Sequence, residues 1–214
     1  MVTLRGGRVV LREKRPEDAP NDYRWRTDEE LSRLDAAAPL RMSFREFARY
    51  YQDELRYPTP WSRRFAIDTA EGKHIGNCMY YDIDAVAREA EVGIMIGDKA
   101  YWSQGYGFDA MVLLVEHIFD TTPMERLYLH TLEWNTRARR SFQRCGFVEV
   151  GLVRRGGYTF MLMELRRQRW QQVRQEKLAL LLKHAEQGQD ERNGCGPRRE
   201  PASGEPAAES AGPA

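Results

Sequence analysis

The sequence predicts an α/β fold, with a mixed sheet and helices on both of its faces. Two strand-like segments, residues 63–69 (RRFAIDT) and 74–82 (HIGNCMYYD), flank the turn EGK, which predicts a β-hairpin. A strand and a helix precede this hairpin, and an alternation of strand, helix, strand, helix and strand follows it. This order is typical of a sheet that is covered by helices on both faces.

The first half of the chain opens with a strand and two helical segments. Residues 8–14 alternate in the manner of a strand. Pro16 then opens a helix, and Glu17 and Asp18 suit the positive end of its first turn. Residues 44–55 (FREFARYYQDEL) have helical periodicity, and the hairpin comes next.

The second half supplies two strand–helix pairs and a closing hairpin. Gly146 ends the second helix as a glycine C-cap would. Gly156 and Gly157 form the turn of the hairpin. The predicted bounds are strand 91–97, helix 108–119, strand 126–132, helix 136–145 and the hairpin strands 148–155 and 158–165.

The chain divides into a folded domain, a helix and a tail. We predict a domain over residues 1–166 and a C-terminal helix over 167–186, which is rich in good helix formers. Residues 187–214 are rich in Gly, Pro, Ala and Glu without apolar periodicity, which predicts a disordered tail. The expected contact residues of the helix are Trp170, Val173, Leu178 and Leu181.

The composition indicates a soluble, cytoplasmic protein. The 33 basic and 32 acidic residues give a formal net charge of +1, which argues against a surface built for nucleic acid. No apolar run reaches the roughly 20 residues of a membrane span, and the first residues lack the apolar core of a signal peptide. Cys78, Cys145 and Cys195 are far apart and form no CxxC pair, so we expect free thiols and no metal site.

The stretch YWSQGYGFDA (101–110) places two glycines, Gly105 and Gly107, at the start of a helix. Glycine permits a tight turn there. A helix start with uncovered N–H groups is also a binding site for an anion such as a pyrophosphate. A dinucleotide-binding fold is disfavoured, because an antiparallel hairpin precedes the strand that leads into this loop.

The glycine loop and the segment NTRARRSFQRCGF (135–147), each behind a strand, together resemble the GNAT superfamily of N-acetyltransferases, and most closely its RimJ/RimL-like branch. The resemblance covers about residues 8–166. It implies a mostly antiparallel sheet that is splayed at the acetyl-CoA site. Trp102 departs from the family's loop pattern, which has Arg or Gln at this position. The residues that it implies as acetyl-CoA-binding are Ile94, Met95, Ile96, Ser103, Gln104, Gly105, Tyr106, Gly107, Phe108 and Asn135.

The resemblance implies a reaction in which a neutral amine attacks the thioester of acetyl-CoA. A base must first remove a proton from the amine. Glu91 and His130 both stand where relatives carry a catalytic glutamate; Glu91 is the preferred base, His130 is the alternative, and Glu133 is a weaker third candidate. Many relatives carry a tyrosine as general acid where this chain has Phe142, so that the acid role is vacant or is filled by Ser141 or Tyr158.

The acceptor implied by the resemblance is a primary amine on a small molecule or a protein N-terminus. The protein would be a monomer or a homodimer, with acetyl-CoA as its cosubstrate and no metal. Tyr80, Tyr81, Asp82 and Asp84 offer a place for a cationic acceptor. Two alternatives remain, a catalytically impaired acyl-CoA-binding regulator, favoured by Phe142, and a partner-binding module that works through the C-terminal helix and tail.

Overall fold

The computed structural model describes residues 2–193, which form one eight-stranded sheet and six α-helices. The strands are β1 (Thr3–Gly6), β2 (Val9–Glu13), β3 (Ser62–Thr69), β4 (His74–Asp84), β5 (Glu89–Ile96), β6 (Arg126–Leu132), β7 (Val148–Arg155) and β8 (Tyr158–Arg166). The helices are α1 (Ala19–Thr27), α2 (Glu29–Leu34), α3 (Phe44–Arg56), α4 (Tyr106–Thr121), α5 (Thr136–Cys145) and α6 (Arg167–Asn193). Among these residues, no helix is long and apolar enough to cross a membrane.

The sheet has the order β1-β2-β3-β4-β5-β6-β8-β7. Every neighbouring pair is antiparallel except β5 and β6, which run parallel. These two strands pair only from Glu89–Arg126 to Glu91–Tyr128, and from Val92 onward their pairing stops. The prediction of a mixed, mostly antiparallel sheet that is splayed between two strands is therefore confirmed.

The opening strand was predicted incompletely. Residues 8–14 were expected to form one strand, but two short strands, β1 and β2, pair as a hairpin. Gly7 turns the chain between them with φ +61°, a backbone conformation that glycine adopts without steric cost. The short TLRG segment carries too little apolar alternation to be predicted, and it is held in place by its pairing with β2.

The main core lies between the sheet and helix α4. Ten of the sixteen residues of α4 are buried, so this helix is the apolar centre of the domain. Along β5, Ala90 and Val92 point into this core. Because side chains alternate between the faces of a strand, the buried Glu91 points to the other face.

The opposite face of the sheet is covered by α1 and α3 through a buried polar network. Arg12 on β2 pairs with Asp18, just before α1, and with Asp68 on β3, at 2.7 and 2.6 Å. The Asn77 amide on β4 donates to Asp22 of α1 at 2.7 Å. Helices therefore lie on both faces, as predicted.

The C-terminal helix extends beyond its predicted end. Its expected contact residues do meet the core: Trp170 and Leu181 are buried in it, and Val173 and Leu178 pack against it. The predicted tail was placed from residue 187, whereas α6 continues to Asn193. Residues 187–193 (QGQDERN) include several good helix formers, and one glycine costs a helix only about 1 kcal/mol. The rest of the predicted tail lies outside the described residues.

Candidate active site

A cleft of about 470 Å³ opens where β5 and β6 diverge. Its walls come from the end of α2, from β5, from the loop before α4 and from α5. Of the residues predicted to bind acetyl-CoA or to act in catalysis, nine line it: Ile94, Met95, Ile96, Ser103, Gly105, Gly107, Phe108, Asn135 and Ser141. The cleft is therefore assembled from segments that the sequence singled out separately.

The edge of β5 that faces β6 is unpaired beyond Glu91. Ile94, Met95 and Ile96 pair with β4 on the other side, so their strand geometry is fixed while this edge stays open. The side chains of Ile94 and Ile96 pack against the core. The Trp102 indole N–H donates to the Ile96 carbonyl at 2.7 Å, so this carbonyl already has a protein partner. Trp102 thus ties the glycine loop to the end of β5.

The glycine loop presents the uncovered start of α4 to the cleft. Gly105 stands before the first helical residue with φ +89°, and Ser103 has φ +60°. Within the described residues, no side chain caps this helix start. The amides of the first turn have no partner inside the helix, and the helix dipole makes this end positive. The arrangement suits a pyrophosphate.

Two predicted binding residues, Gln104 and Tyr106, do not line the cleft. The Gln104 side chain folds back and donates to the Ala100 carbonyl. The Tyr106 ring packs edge-on against Tyr101, with centroids 5.0 Å apart. The side chains of both residues shape the loop, so any contact with a ligand falls to their backbone.

Three arginines on α5 line the cleft and were not predicted from the sequence. Arg137, Arg140 and Arg144 share one face of the helix because they are spaced at i, i+3 and i+7. The guanidinium of Arg137 lies 3.9 Å from the centre of the Trp102 ring. Arg139 points elsewhere and pairs with Glu149 at 2.8 Å. The helical spacing was visible in the sequence and indicates a positively charged wall.

Asn135 caps helix α5. Its side-chain oxygen accepts from the Ala138 amide at 3.2 Å, and it also lines the cleft. On the same helix, Ser141 and Phe142 face the cleft. The position at which relatives carry an acidic tyrosine is therefore occupied by a ring that has no proton to donate.

The two candidate bases are hydrogen-bonded to each other. His130 Nδ1 lies 3.0 Å from Glu91 Oε1. Glu91 belongs to the last residue pair of β5 and β6, and His130 lies two residues beyond its partner Tyr128. Glu91 is 4% exposed, and neither residue lines the 470 Å³ cleft itself. A carboxylate only accepts hydrogen bonds, so an ionised Glu91 places the proton of a neutral His130 on Nδ1 and leaves Nε2 as an acceptor.

Tyr81 on β4 stands opposite Glu91 and is the third residue of this cluster. Burial raises the pKa of Tyr81, and the charge of Glu91 together with a hydrogen bond to it raises it further. The hydroxyl therefore stays protonated beside the carboxylate. Tyr128 on β6 is paired with Glu91, and burial together with the charge of Glu91 raises the pKa of Tyr128 as well.

Two further carboxylates lie near Tyr81. The charges of Asp82 and Asp35 add to the raised pKa of Tyr81. Asp35 follows α2, lines the cleft and was not predicted. Of the other residues considered for the acceptor, Tyr80 is buried in the core, and Asp84 accepts from the amides of its own turn. The region between the cleft and the β4 end is thus acidic.

The two described cysteines do not belong to the site. Cys78 and Cys145 are free and buried, and burial raises the pKa of both thiols. Cys195 lies outside the described residues. In residues 2–193, no group of three or more His, Cys, Asp or Glu side chains is arranged to hold a metal ion.

The glycine loop at an uncovered helix start, beside a splayed parallel strand pair, defines an acetyltransferase of the GNAT class. The family model described as an acetyltransferase (GNAT) domain matches residues 8–148, which is more than half of the chain. The chain belongs to this family. The predicted GNAT acetyltransferase domain is therefore confirmed.

Individual relatives include spermidine N(1)-acetyltransferase from Vibrio cholerae. This relative is 31% identical over 91 residues, which make up 42% of the chain and 51% of the relative. The match thus spans about half the length of this curated relative. A crystal structure of spermidine N-acetyltransferase from Vibrio cholerae with CoA and spermine has a TM-score of 0.68 at 20% identity, covering 77% of this chain and 98% of that one.

Mycobacterium smegmatis RimJ, in complex with CoA-disulfide, has a TM-score of 0.63 at 20% identity, covering 78% of this chain and 87% of RimJ. At these identities, the structural likeness shows the fold alone. The GNAT part of the predicted resemblance is confirmed. Its assignment to the RimJ/RimL-like branch stays a prediction.

Proposed function

We propose that the protein transfers the acetyl group of acetyl-CoA to a primary amine of a small cationic molecule, with polyamines as the favoured acceptor class. The observation that carries this proposal is the Glu91–His130 pair at the mouth of the splay between β5 and β6. This pair would supply a base beside the cleft, and the far wall of the cleft suits the phosphates of the donor.

The donor would lie along the open edge of β5 with its pyrophosphate at the start of α4. The amides of Tyr106, Gly107 and Phe108 would bind the pyrophosphate, and the arginines of α5 would neutralise further phosphate charge. The pantetheine arm would pair with the free backbone groups of β5 beyond Glu91. Asn135 would reach the same arm from the start of α5.

We assign the proton transfer to His130, with Glu91 as its positioning residue. His130 Nε2 takes the proton from the acceptor amine, directly or through a water. The carboxylate of Glu91 holds the Nδ1–H and stabilises the imidazolium that forms. The tetrahedral oxyanion would be met by an N–H on the open edge of β5. Ser141, which faces the cleft, is the candidate to protonate the departing thiolate.

The preference for a polycation is supported by the acidic surroundings of the pair. Asp35 and Asp82 act on Tyr81 through their charges, so an acceptor with a second ammonium group would be held on this side. The names of curated relatives, which are spermidine and spermine N(1)-acetyltransferases, support the same class.

A protein N-terminus is the second candidate acceptor. It is favoured by the RimJ/RimL-like form of the GYG loop. An N-terminal amine has a lower pKa than a polyamine ammonium group, so it needs less help from a base.

The test is a screen of amine acceptors with acetyl-CoA, in which free thiol and acetylated product are both measured. Spermidine, spermine, an aminoglycoside and peptides with Ala or Ser at the N-terminus represent the acceptor classes. Acetylation of polyamines far above the peptides is the expected result. Preference for a peptide would overturn the acceptor class, and CoA binding without turnover of any amine would favour the impaired regulator instead.

A further inference from the structure

A buried charge network connects the C-terminal helix to the start of α4. The Asp109 carboxylate, which is 0% exposed, accepts from the Arg8 backbone amide at 3.1 Å and from Arg8 Nε at 3.0 Å. Its other oxygen lies 2.6 Å from His184 Nδ1, on α6, and the same Nδ1 lies 3.1 Å from Arg8 Nη2. Asp109 stands in the first turn of α4, directly after the amides assigned to the pyrophosphate.

Arg8 carries this network into the glycine loop. Its Nη1 donates to the Gln104 carbonyl at 2.5 Å. Because the peptide bond between Gln104 and Gly105 is trans, a carbonyl held toward Arg8 directs the Gly105 N–H to the opposite side. The orientation of the loop amides therefore depends on where Arg8 stands.

The position of Arg8 depends on Asp109 and on the turn before it. Gly7 has φ +61°, and a Cβ at this residue would lie 2.6 Å from Asp109 Oδ2. The backbone thus approaches the carboxylate too closely for a side chain. Neither Arg8 nor Asp109 can shift without disturbing the other.

His184 holds the carboxylate from the side of α6. Leu181, one turn earlier, is 3% exposed and fixes this part of the helix in the core. The His184 ring also packs edge-on against Phe108, with centroids 5.9 Å apart, and Phe108 lines the cleft. His184 therefore contacts the first turn of α4 twice, through its ring at Phe108 and through Nδ1 at Asp109.

The loop needs such support because part of its backbone is strained. Ser103 has φ +60°, a conformation that a residue with a side chain adopts at a cost of roughly 1–2 kcal/mol. Such a segment keeps one conformation only when its surroundings hold it. The matched GNAT domain ends at residue 148, whereas α6 begins at Arg167, so this support comes from a helix outside the matched domain.

We propose that His184 is a positioning residue for acetyl-CoA: through Asp109 and Arg8 it holds the glycine loop in its binding conformation, so that helix α6 sets the affinity for the donor. The inference rests on the proposed function, since it assumes that the loop binds CoA. Its alternative is a helix that stabilises the fold and leaves the loop unaffected.

Two substitutions separate these roles because both fill the space of the imidazole. His184→Gln keeps an N–H that can donate to Asp109, whereas His184→Phe keeps the ring against Phe108 and removes the donor. We expect His184→Phe to raise the Kd for CoA and the KM for acetyl-CoA by about tenfold, the size of one charge-assisted hydrogen bond. The value of kcat should change little, and His184→Gln should remain within about threefold of the wild type.

Two variants on the same helix serve as controls. Arg174→Ala removes the ion pair with Glu116 near the other end of α6, so it weakens the docking of the helix far from the loop. Lys183→Ala changes an exposed neighbour of His184. Both should bind CoA as the wild type does. Hydrogen exchange at the amides of residues 105–108 should accelerate in His184→Phe and stay unchanged in Arg174→Ala.

The affinity for CoA, measured by calorimetry on the folded full-length proteins, decides the outcome. If His184→Phe lowers the thermal midpoint but binds CoA with wild-type affinity, the helix is merely structural and the inference is wrong. An equal loss of affinity in Arg174→Ala would also overturn it. A wild-type protein that does not bind CoA would instead overturn the proposed function, so the two failures are distinguishable.

Discussion

The carboxylate of Glu91 and the imidazole of His130 lie 3.0 Å apart, on two parallel strands at the point where their pairing ends. The sequence offers these residues as alternative bases. The structure brings them into one hydrogen-bonded pair, in which only the far nitrogen of the imidazole is free to receive a proton from a substrate. The two residues can therefore act together, with His130 as the base and Glu91 as the residue that positions it.

This division predicts different kinetics for the two amide variants. His130→Gln removes the base and should lower kcat by ~10²–10⁴-fold, with little change in acetyl-CoA affinity. Glu91→Gln keeps an oxygen that accepts the Nδ1–H but loses the charge that stabilises the imidazolium, so its loss of kcat should be smaller. The measurement is kcat as a function of pH.

The shape of these pH profiles checks the assignment. With His130 as the base, the rise of kcat with pH on the acid side should disappear in His130→Gln and persist, displaced, in Glu91→Gln. A full loss in Glu91→Gln with wild-type kcat in His130→Gln would make Glu91 the base. Near-normal rates in both variants would exclude the pair from proton transfer.

The arginine wall of α5 predicts a dependence on the phosphate charge of the donor. Arg140→Ala should raise the KM for acetyl-CoA by about tenfold at low salt, since a charged hydrogen bond contributes about 1.5–3 kcal/mol and exposure reduces it. Arg139→Ala is the matched control, because Arg139 pairs with Glu149 and does not line the cleft. Equal effects in the two variants would show that general charge, and not this wall, is responsible.

Replacing Gly107 by alanine should affect the stability of the fold and the affinity for CoA in opposite directions. A Cβ at this position would lie 3.7 Å from the nearest atom, Ile96 Cγ1, which is ordinary contact. Gly107→Ala should therefore fold at least as stably as the wild type, because alanine favours a helix by up to about 1 kcal/mol over glycine. Its affinity for CoA should fall, since the Cβ stands between the amides and the phosphate. Calorimetry and thermal melting would show both effects, with Gly151→Ala as a control in open space.

Replacing Phe142 by tyrosine should raise the catalytic rate. The ring faces the cleft at the position of the family's acidic tyrosine. Phe142→Tyr should provide a proton for the departing thiolate and raise kcat, by at most about 10²-fold, the lower end of general acid catalysis. A pre-steady-state measurement shows whether the chemical step itself accelerates. An unchanged chemical step would indicate that Ser141 or a water already supplies the proton.

The buried ion pairs of Arg12 should contribute to the stability of the fold. Arg12→Met would leave Asp18 and Asp68 as buried carboxylates without their partner, which should cost about 3–5 kcal/mol. Arg64→Met breaks an exposed pair with Glu54 and should cost ~0–1 kcal/mol. Urea denaturation measures both, and similar losses would contradict the buried role of Arg12.

The same network predicts the direction of the pH dependence. Burial opposes ionisation of Asp18, but hydrogen bonds from Arg12 and from the Arg15 amide outweigh it and lower its pKa. The stability from a lowered carboxyl pKa is present above the unfolded value of about 3.9 and is lost as the pH falls through the folded value. The wild type should therefore lose this contribution only below about pH 4, and Arg12→Met should show less of that loss.

Much of the fold could be predicted because its signals are local. The bounds of β6 and α5 agree with the predicted 126–132 and 136–145, since strand alternation and the Gly146 cap are carried by neighbouring residues. The β1 strand was missed because four residues carry little pattern. Helix α2 was also not predicted, although Asp28 caps it by accepting from the Leu31 amide, because six residues give no clear periodicity.

The sequence by itself determined the fold class, the family and the glycine loop, since these depend on the spacing of residues close together in the chain. Only the tertiary structure decided that Glu91 meets His130, 39 residues away, and that Asp109 joins Arg8 and His184, 101 and 75 residues away. Such contacts follow from the register of paired strands and from the docking of helices on the core. These arise from many weak interactions summed over the whole domain, and no local pattern encodes them.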